Sequence, residues 1–111
     1  MVKNLVYNLN IIAEIFIADT FIKRFSGFMF RKEPHYEAIL IKPCNSIHTF
    51  FMKFSIDVLF IDEKMEVIKK IEGLKPDRII MPQKKCKMII EGKEGMFKDI
   101  KVGKKLIVLN M

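Results

Sequence analysis

The stretch Ile11-Ile12-Ala13-Glu14-Ile15-Phe16-Ile17-Ala18 decides the fold class. Ile11, Ala13, Ile15 and Ile17 share one parity, and Ile12, Glu14, Phe16 and Ala18 share the other. Side chains alternate across a strand, so a strand here has one apolar face and one face carrying a single charge. Both faces of such a strand are expected to be largely covered. Residues 2–8 form a second apolar run, and Asn8-Leu9-Asn10 suits a hairpin turn between the two.

The same pattern continues along the chain. Asp19 or Thr20 can cap a short helix reaching Arg24 or Phe25. Phe21, Phe25 and Phe28 form its apolar face, and Ser26-Gly27 is its stop. Strands are expected at 38–42, ending at Pro43, and at 46–52 and 56–62, joined through Lys53-Phe54-Ser55. Residues 65–72 follow the turn Asp62-Glu63-Lys64 as another strand. Short strands are expected at 78–81 and 86–91, one helical turn between Gly92 and Lys98, and a last strand at 105–110 after Val102-Gly103-Lys104. Many short strands at this spacing indicate a mainly β fold. The expected form is a small antiparallel β-sandwich or a partly closed barrel, with one or two short helices. A compact α+β roll needs a longer helix than the sequence offers. The 111 residues show no linker or repeat and read as a single domain, 1–111.

The net charge of +7 rests on 20 basic residues, of which only Arg24, Arg31 and Arg78 are arginine. Excess lysine together with 18 isoleucines is the composition of an AT-rich genome. The lysines are scattered, with Lys84, Lys85 and Lys87 the tightest group. Nucleic-acid binders cluster Arg and Lys on one face, so nucleic acid is not the expected partner. Cys44 and Cys86 make no disulfide framework and are expected to be reduced. Asn8, Asn10 and Glu14 interrupt the first apolar stretches, and no run approaches the roughly 20 apolar residues of a membrane span. The expected compartment is the cytoplasm, with no membrane contact.

Three segments carry a family resemblance. Ala18-Asp19-Thr20 through Arg24, with Gly27-Phe28-Met29-Phe30-Arg31, is similar to an "A-x-T…R…G-L-M-x-R" pattern. Residues 44–62, from Cys44 through His48-Thr49, Met52 and Ile56-Asp57-Val58 to Asp62, resemble "C-x-x-V-H-T-x-x-M-x-x-P-I-D-V-x-F-L-D". Ile89-Ile90-Glu91-Gly92, with Ile100-Lys101-Val102-Gly103-Lys104, resembles the weaker "L-E-x…G-I-x-x-G-D" ending. Together they resemble the prokaryotic family called domain of unknown function 192, or uncharacterised protein family 0127. Ser55 stands where the family commonly has Pro, and Lys104 where it has Asp. The resemblance implies a small, predominantly β domain of jelly-roll-like form and no established activity, substrate or cofactor.

Asp57 lies in an apolar strand, where an unpaired carboxylate costs several kcal/mol. It needs a partner such as His48, Arg24 or Thr49, or amides of a loop that it pins. His48 suits a general base or an anion donor, or else a core histidine holding the bend at 53–55. Strand parity puts His48 and Asp57 on opposite faces unless that bend intervenes. Arg24 can clamp a phosphate or carboxylate, or pair with Asp57 or Glu91. Cys44, His48 and Asp57 are too few for a structural zinc site, and only Cys86 and His35 remain, so neither metal nor cofactor is expected. Cys44 with His48 could form a nucleophile and base, although a small buried cysteine is the simpler reading. The expectation is a pocket of Arg24, His48, Thr49, Met52 and Asp57 for a small anion or sugar, with catalysis left open. The alternatives are a basic nucleic-acid module using Lys84, Lys85, Lys87 and exposed Phe, or an interaction domain without chemistry.

Overall fold

The computed structural model describes residues 1–20, 23–24 and 27–110. Its strands are β1 (Val2–Tyr7), β2 (Asn10–Ala18), β3 (Ala38–Ile41), β4 (Ile47–His48), β5 (Ile56–Ile61), β6 (Val67–Leu74), β7 (Ile79–Ile80), β8 (Met88–Lys93) and β9 (Ile107–Asn110). Seven form one sheet in the order β6-β5-β8-β3-β2-β1-β9, and β4 pairs with β7 in a small second sheet. Every pairing is antiparallel except β2 with β3. The fold is mainly β, and the large sheet curls into a half-barrel. Its edges approach at one end, where Glu66 bridges Lys105 and the Val67 amide donates to Lys104 O at 2.9 Å.

The parity of the second apolar run now has a cause. Ala13, Ile15 and Ile17 point into the half-barrel, where they pack with Leu5, Leu40, Leu59 and Ile90. Phe16 and Ala18 point outward, into a second core built on Ile39, Val58, Phe60 and Ile89. Ile47, Met52 and Phe28 cover that outer core. All residues of β3 and β5 are therefore buried, on both faces. At the hairpin, Asn8 and Leu9 both take positive φ, as a two-residue turn with the twist of the flanking strands requires.

Two expectations change. The strand expected at 46–52 stops at His48. The buried Thr49 hydroxyl donates to Lys75 O at 2.7 Å and accepts from the Arg78 amide at 2.8 Å. This staple turns the chain, and Phe51 takes a φ of 64°. The helical turn expected at 92–98 is a series of turns over 94–99, entered after β8 has run on to Lys93. At the N-terminal helix, the Lys23 amide donates to Thr20 Oγ1 at 3.2 Å, so Thr20 caps the turn at Lys23 and Arg24. Phe21, Phe25 and Ser26 of the expected face and stop lie outside the described residues.

The loop over 94–99 plugs one end of the half-barrel with Phe97, which is wholly buried. A Cβ on Gly92 would come within 2.6 Å of the Phe97 ring, so only glycine lets the plug seat there. Lys70 Nζ donates to the carbonyls of Phe97 and Ile100 at 3.0 and 2.8 Å and so closes the loop's far end. Asp57 ties the plug to the sheet. Its Oδ1 accepts from the Gly73 amide at 2.9 Å and its Oδ2 from the Gly95 amide at 2.8 Å. Gly73 sits at the irregularity where β6 slips against β5 between Ile56 and Val58, and its φ of +66° suits glycine. Hydrogen bonds to a charged group contribute about 1.5–3 kcal/mol each. Asp57→Asn keeps one acceptor and turns an amide N–H₂ toward a backbone N–H. Urea unfolding of this variant is expected to show a loss of about 2–4 kcal/mol; a loss below about 0.5 kcal/mol would show that the pin carries no weight.

Candidate functional site

A cleft of about 300 Å³ opens between Arg24, Gly27 and Met29, the segment Pro43–His48 and the outer face of the large sheet. That volume is at the lower end of the range for small-molecule sites. Its wall includes Arg24, Met29, Cys44, His48, Met52 and Glu91.

Glu91 is the unusual member. It lies on β8 beside Ile39 of β3 and Val58 of β5. It points to the outer face because Ile90 before it faces the half-barrel interior. Its residue surface is only 2% exposed. Oε1 is buried and, among the described residues, has no hydrogen-bond partner. The backbone at Gly27 (φ +44°) passes so close that a Cβ there would lie 3.1 Å from this oxygen. Burial pushes the Glu91 carboxyl up to about 8, because desolvation disfavours the charged form. At neutral pH it is a neutral acid with an O–H to donate.

The other polar groups are held by the backbone. Arg24 Nη1 donates to Pro43 O at 3.1 Å and Nε to Thr20 O at 3.4 Å, which sets the guanidinium at the cleft without an ion pair to Asp57 or Glu91 among the described residues. His48 Nδ1 accepts from the Phe50 amide at 3.2 Å, so the neutral ring carries its proton on Nε2 and is a donor there. Cys44 Sγ donates to Ser46 O at 3.0 Å. Its thiol is raised, first by burial and then by neighbours that include Glu91, so it is protonated and a poor nucleophile. Burial also raises the buried Cys86 thiol.

The expected pocket residues therefore part company. Arg24, His48 and Met52 meet in the cleft. Thr49 is consumed by its staple, and Asp57 belongs to the opposite face of β5, bound to two amides. His48 is on the small sheet and Asp57 on the large one, where its two oxygens accept from the Gly73 and Gly95 amides. Cys44 and His48 share the cleft without Asp57, and among the described residues no three His, Cys, Asp or Glu side chains are grouped to hold a metal ion. Lys85 and Lys87 share a groove with Lys64, Asp62 and Glu63, so two acids offset part of that basic group. Glu91 carries the same signal as Asp57, an acid inside an apolar run, but from sequence it figured only as a partner for Arg24.

The chain belongs to the family DUF192, described as "Uncharacterized ACR", which matches residues 6–108. The UPF0127 protein of Pyrococcus horikoshii is 43% identical over 106 residues, covering 91% of this chain and 90% of the relative. The UPF0127 protein of Pyrococcus abyssi is 45% identical over 91 residues, covering 78% and 76%. Two solved structures share the fold at 16% identity. One is a protein of unknown function from Novosphingobium aromaticivorans, with a TM-score of 0.76 over 96% of this chain and 84% of that one. The other, from Sinorhizobium meliloti, is described as a candidate transcription regulator, with a TM-score of 0.79 over 96% and 92%. Among the described residues no helix is long and apolar enough to cross a membrane.

The raised Glu91 acid has a measurable effect on stability. Its folded pKa of about 8 lies above its ordinary value of 4.5, so the folded state holds a proton that the unfolded state releases between those pH values. Stability is then greatest below the ordinary value and falls as pH rises toward 8, by up to about 1.4 kcal/mol per pH unit. Glu91→Gln has no such proton. Denaturation of the two proteins across this range is expected to show the variant gaining on the wild type by a few kcal/mol as pH rises; a difference independent of pH would mean that Glu91 ionises normally.

Proposed function

We propose that this member of the DUF192 family binds a small organic anion in the cleft beside Glu91. The observation that carries the reading is the buried Glu91 Oε1, which has no hydrogen-bond partner among the described residues, in the wall of an otherwise largely apolar cleft. An unmet buried polar group costs about 1–3 kcal/mol, and a ligand atom can remove that cost. The chemistry favours an anion over a sugar. Arg24 is a cation, the Glu91 acid is a donor at neutral pH, and His48 Nε2 is a donor. None of the three brings a negative charge to the cleft at neutral pH. A carboxylate could take a charge-assisted bond from Arg24 and an O–H···O bond from Glu91. Met29, Ile41 and Met52 supply apolar wall for its carbon part. On this reading the protein works in the cytoplasm, in keeping with two free cysteines.

Calorimetry with acetate, propionate and inorganic phosphate at pH 6 to 9 tests it. A carboxylate is expected to bind at pH 6–7 and to weaken about tenfold per pH unit above 8, as the Glu91 proton is lost. Glu91→Gln is expected to bind without that pH dependence. Arg24→Ala is expected to lose about 10–100-fold, the worth of one hydrogen bond to a charged group. No binding by any of these anions at pH 6, or equal affinity in Arg24→Ala, would overturn the proposal.

A further inference from the structure

The cleft has an aromatic rim with an unusual backbone. Phe30 directly follows Met29, and Phe51 directly precedes Met52, both cleft residues. Phe30 and Phe51 are 67% and 59% exposed, against 6% and 7% for Met29 and Met52. Their rings stack on one another with centroids 5.1 Å apart and planes inclined by 21°. The Phe30 amide donates to Phe51 O at 2.8 Å, which locks the two loops together. Both residues take left-handed backbone, with φ of 62° and 64°. Bulky residues rarely adopt that conformation, and glycine would do so freely. Beside them, the Phe50 ring stacks on His48 of the cleft with centroids 5.4 Å apart. So two strained turns hold an apolar aromatic surface in water next to an anion site, where folding alone gives no reason to place one.

We propose that the rim receives the hydrocarbon tail of the ligand, so that the anion bound in the cleft is an amphiphile, a carboxylate with a chain of several carbons. The inference rests on the anion-binding reading. The head group sits between Arg24 and Glu91, and the chain passes over His48 and Phe50 toward the Phe30–Phe51 stack. Arg31 and Lys53, each within two residues of a rim phenylalanine, add positive charge near the opening and favour an anionic ligand over a neutral hydrocarbon.

The test is a calorimetric series of straight-chain carboxylates from acetate to octanoate at pH 6.5, each as dissolved monomer, with wild type, Phe30→Ala, Phe51→Ala and Phe30→Leu. Burying a methylene contributes about 0.8 kcal/mol when complete, or roughly fourfold in affinity, so a rim contact predicts a rise of about two- to fourfold per carbon. Both alanine variants are expected to flatten the rise while acetate binds as before, and Phe30→Leu is expected to retain most of it. Urea midpoints close to wild type show that the exposed rings have been removed without unfolding the rim. Acetate binding with no dependence on chain length, or a rise that persists in both alanine variants, overturns the inference and leaves the cleft reading intact. Absence of binding for every member, acetate included, overturns both.

Discussion

The structure depends on burying a sheet on both of its faces. β5 and β3 have no exposed residue, and β8 between them exposes only its last, Lys93. The inner face packs inside the half-barrel and the outer face packs beneath the small sheet and its loops. Two acids lie in this layer, and each meets the constraint differently. Asp57, at the end of the half-barrel, has two glycine amides for its two oxygens. Glu91 faces the outer core and gives up its charge instead. The first arrangement holds the plug loop to the sheet. The second leaves a proton, and an oxygen unmet among the described residues, where the covering layer opens into the cleft.

That cleft exists because the covering layer is thin. The small sheet has only two residues in each strand, so Ile47 and Met52 roof the outer core while His48 is left at the edge. Arg24 reaches the same edge from a capped helical turn and is tied to Pro43 O. The polar groups around Glu91 are therefore set by backbone hydrogen bonds, and ligand binding would require little rearrangement of them. Such preorganisation lowers the entropic cost of binding.

Much of this was legible in the sequence. Alternation over 11–18 places Ala13, Ile15 and Ile17 on one face and Phe16 on the other, as observed. Asn8-Leu9 marks the hairpin, and the parity of His48 and Asp57 already opposed a dyad. The resemblance over 18–31 and 44–62 marked Arg24, His48 and Met52 with Thr49 and Asp57, but periodicity reports which face a residue takes and not what lies across it. Thr49 and Asp57 answer to backbone partners 16 to 38 residues distant. Glu91 became distinctive only when the strands on either side and Gly27 over it were known, because burial and the lack of a partner among the described residues are tertiary facts. The positive φ of Phe30 and Phe51 had no sequence signal, since the residues there are not the ones such turns favour.

A titration followed at the residue itself tests whether Glu91 is a neutral acid at physiological pH. The side-chain carboxyl carbon of Glu91, assigned in carbon-labelled protein by comparison with Glu91→Gln, can be followed by NMR from pH 4 to 9. The expected midpoint is near 8, with the resonance unmoved through the range in which exposed glutamates titrate. A midpoint near 4.5 would show that the carboxyl is charged at neutral pH, and the cleft would then repel the anion it is held to bind.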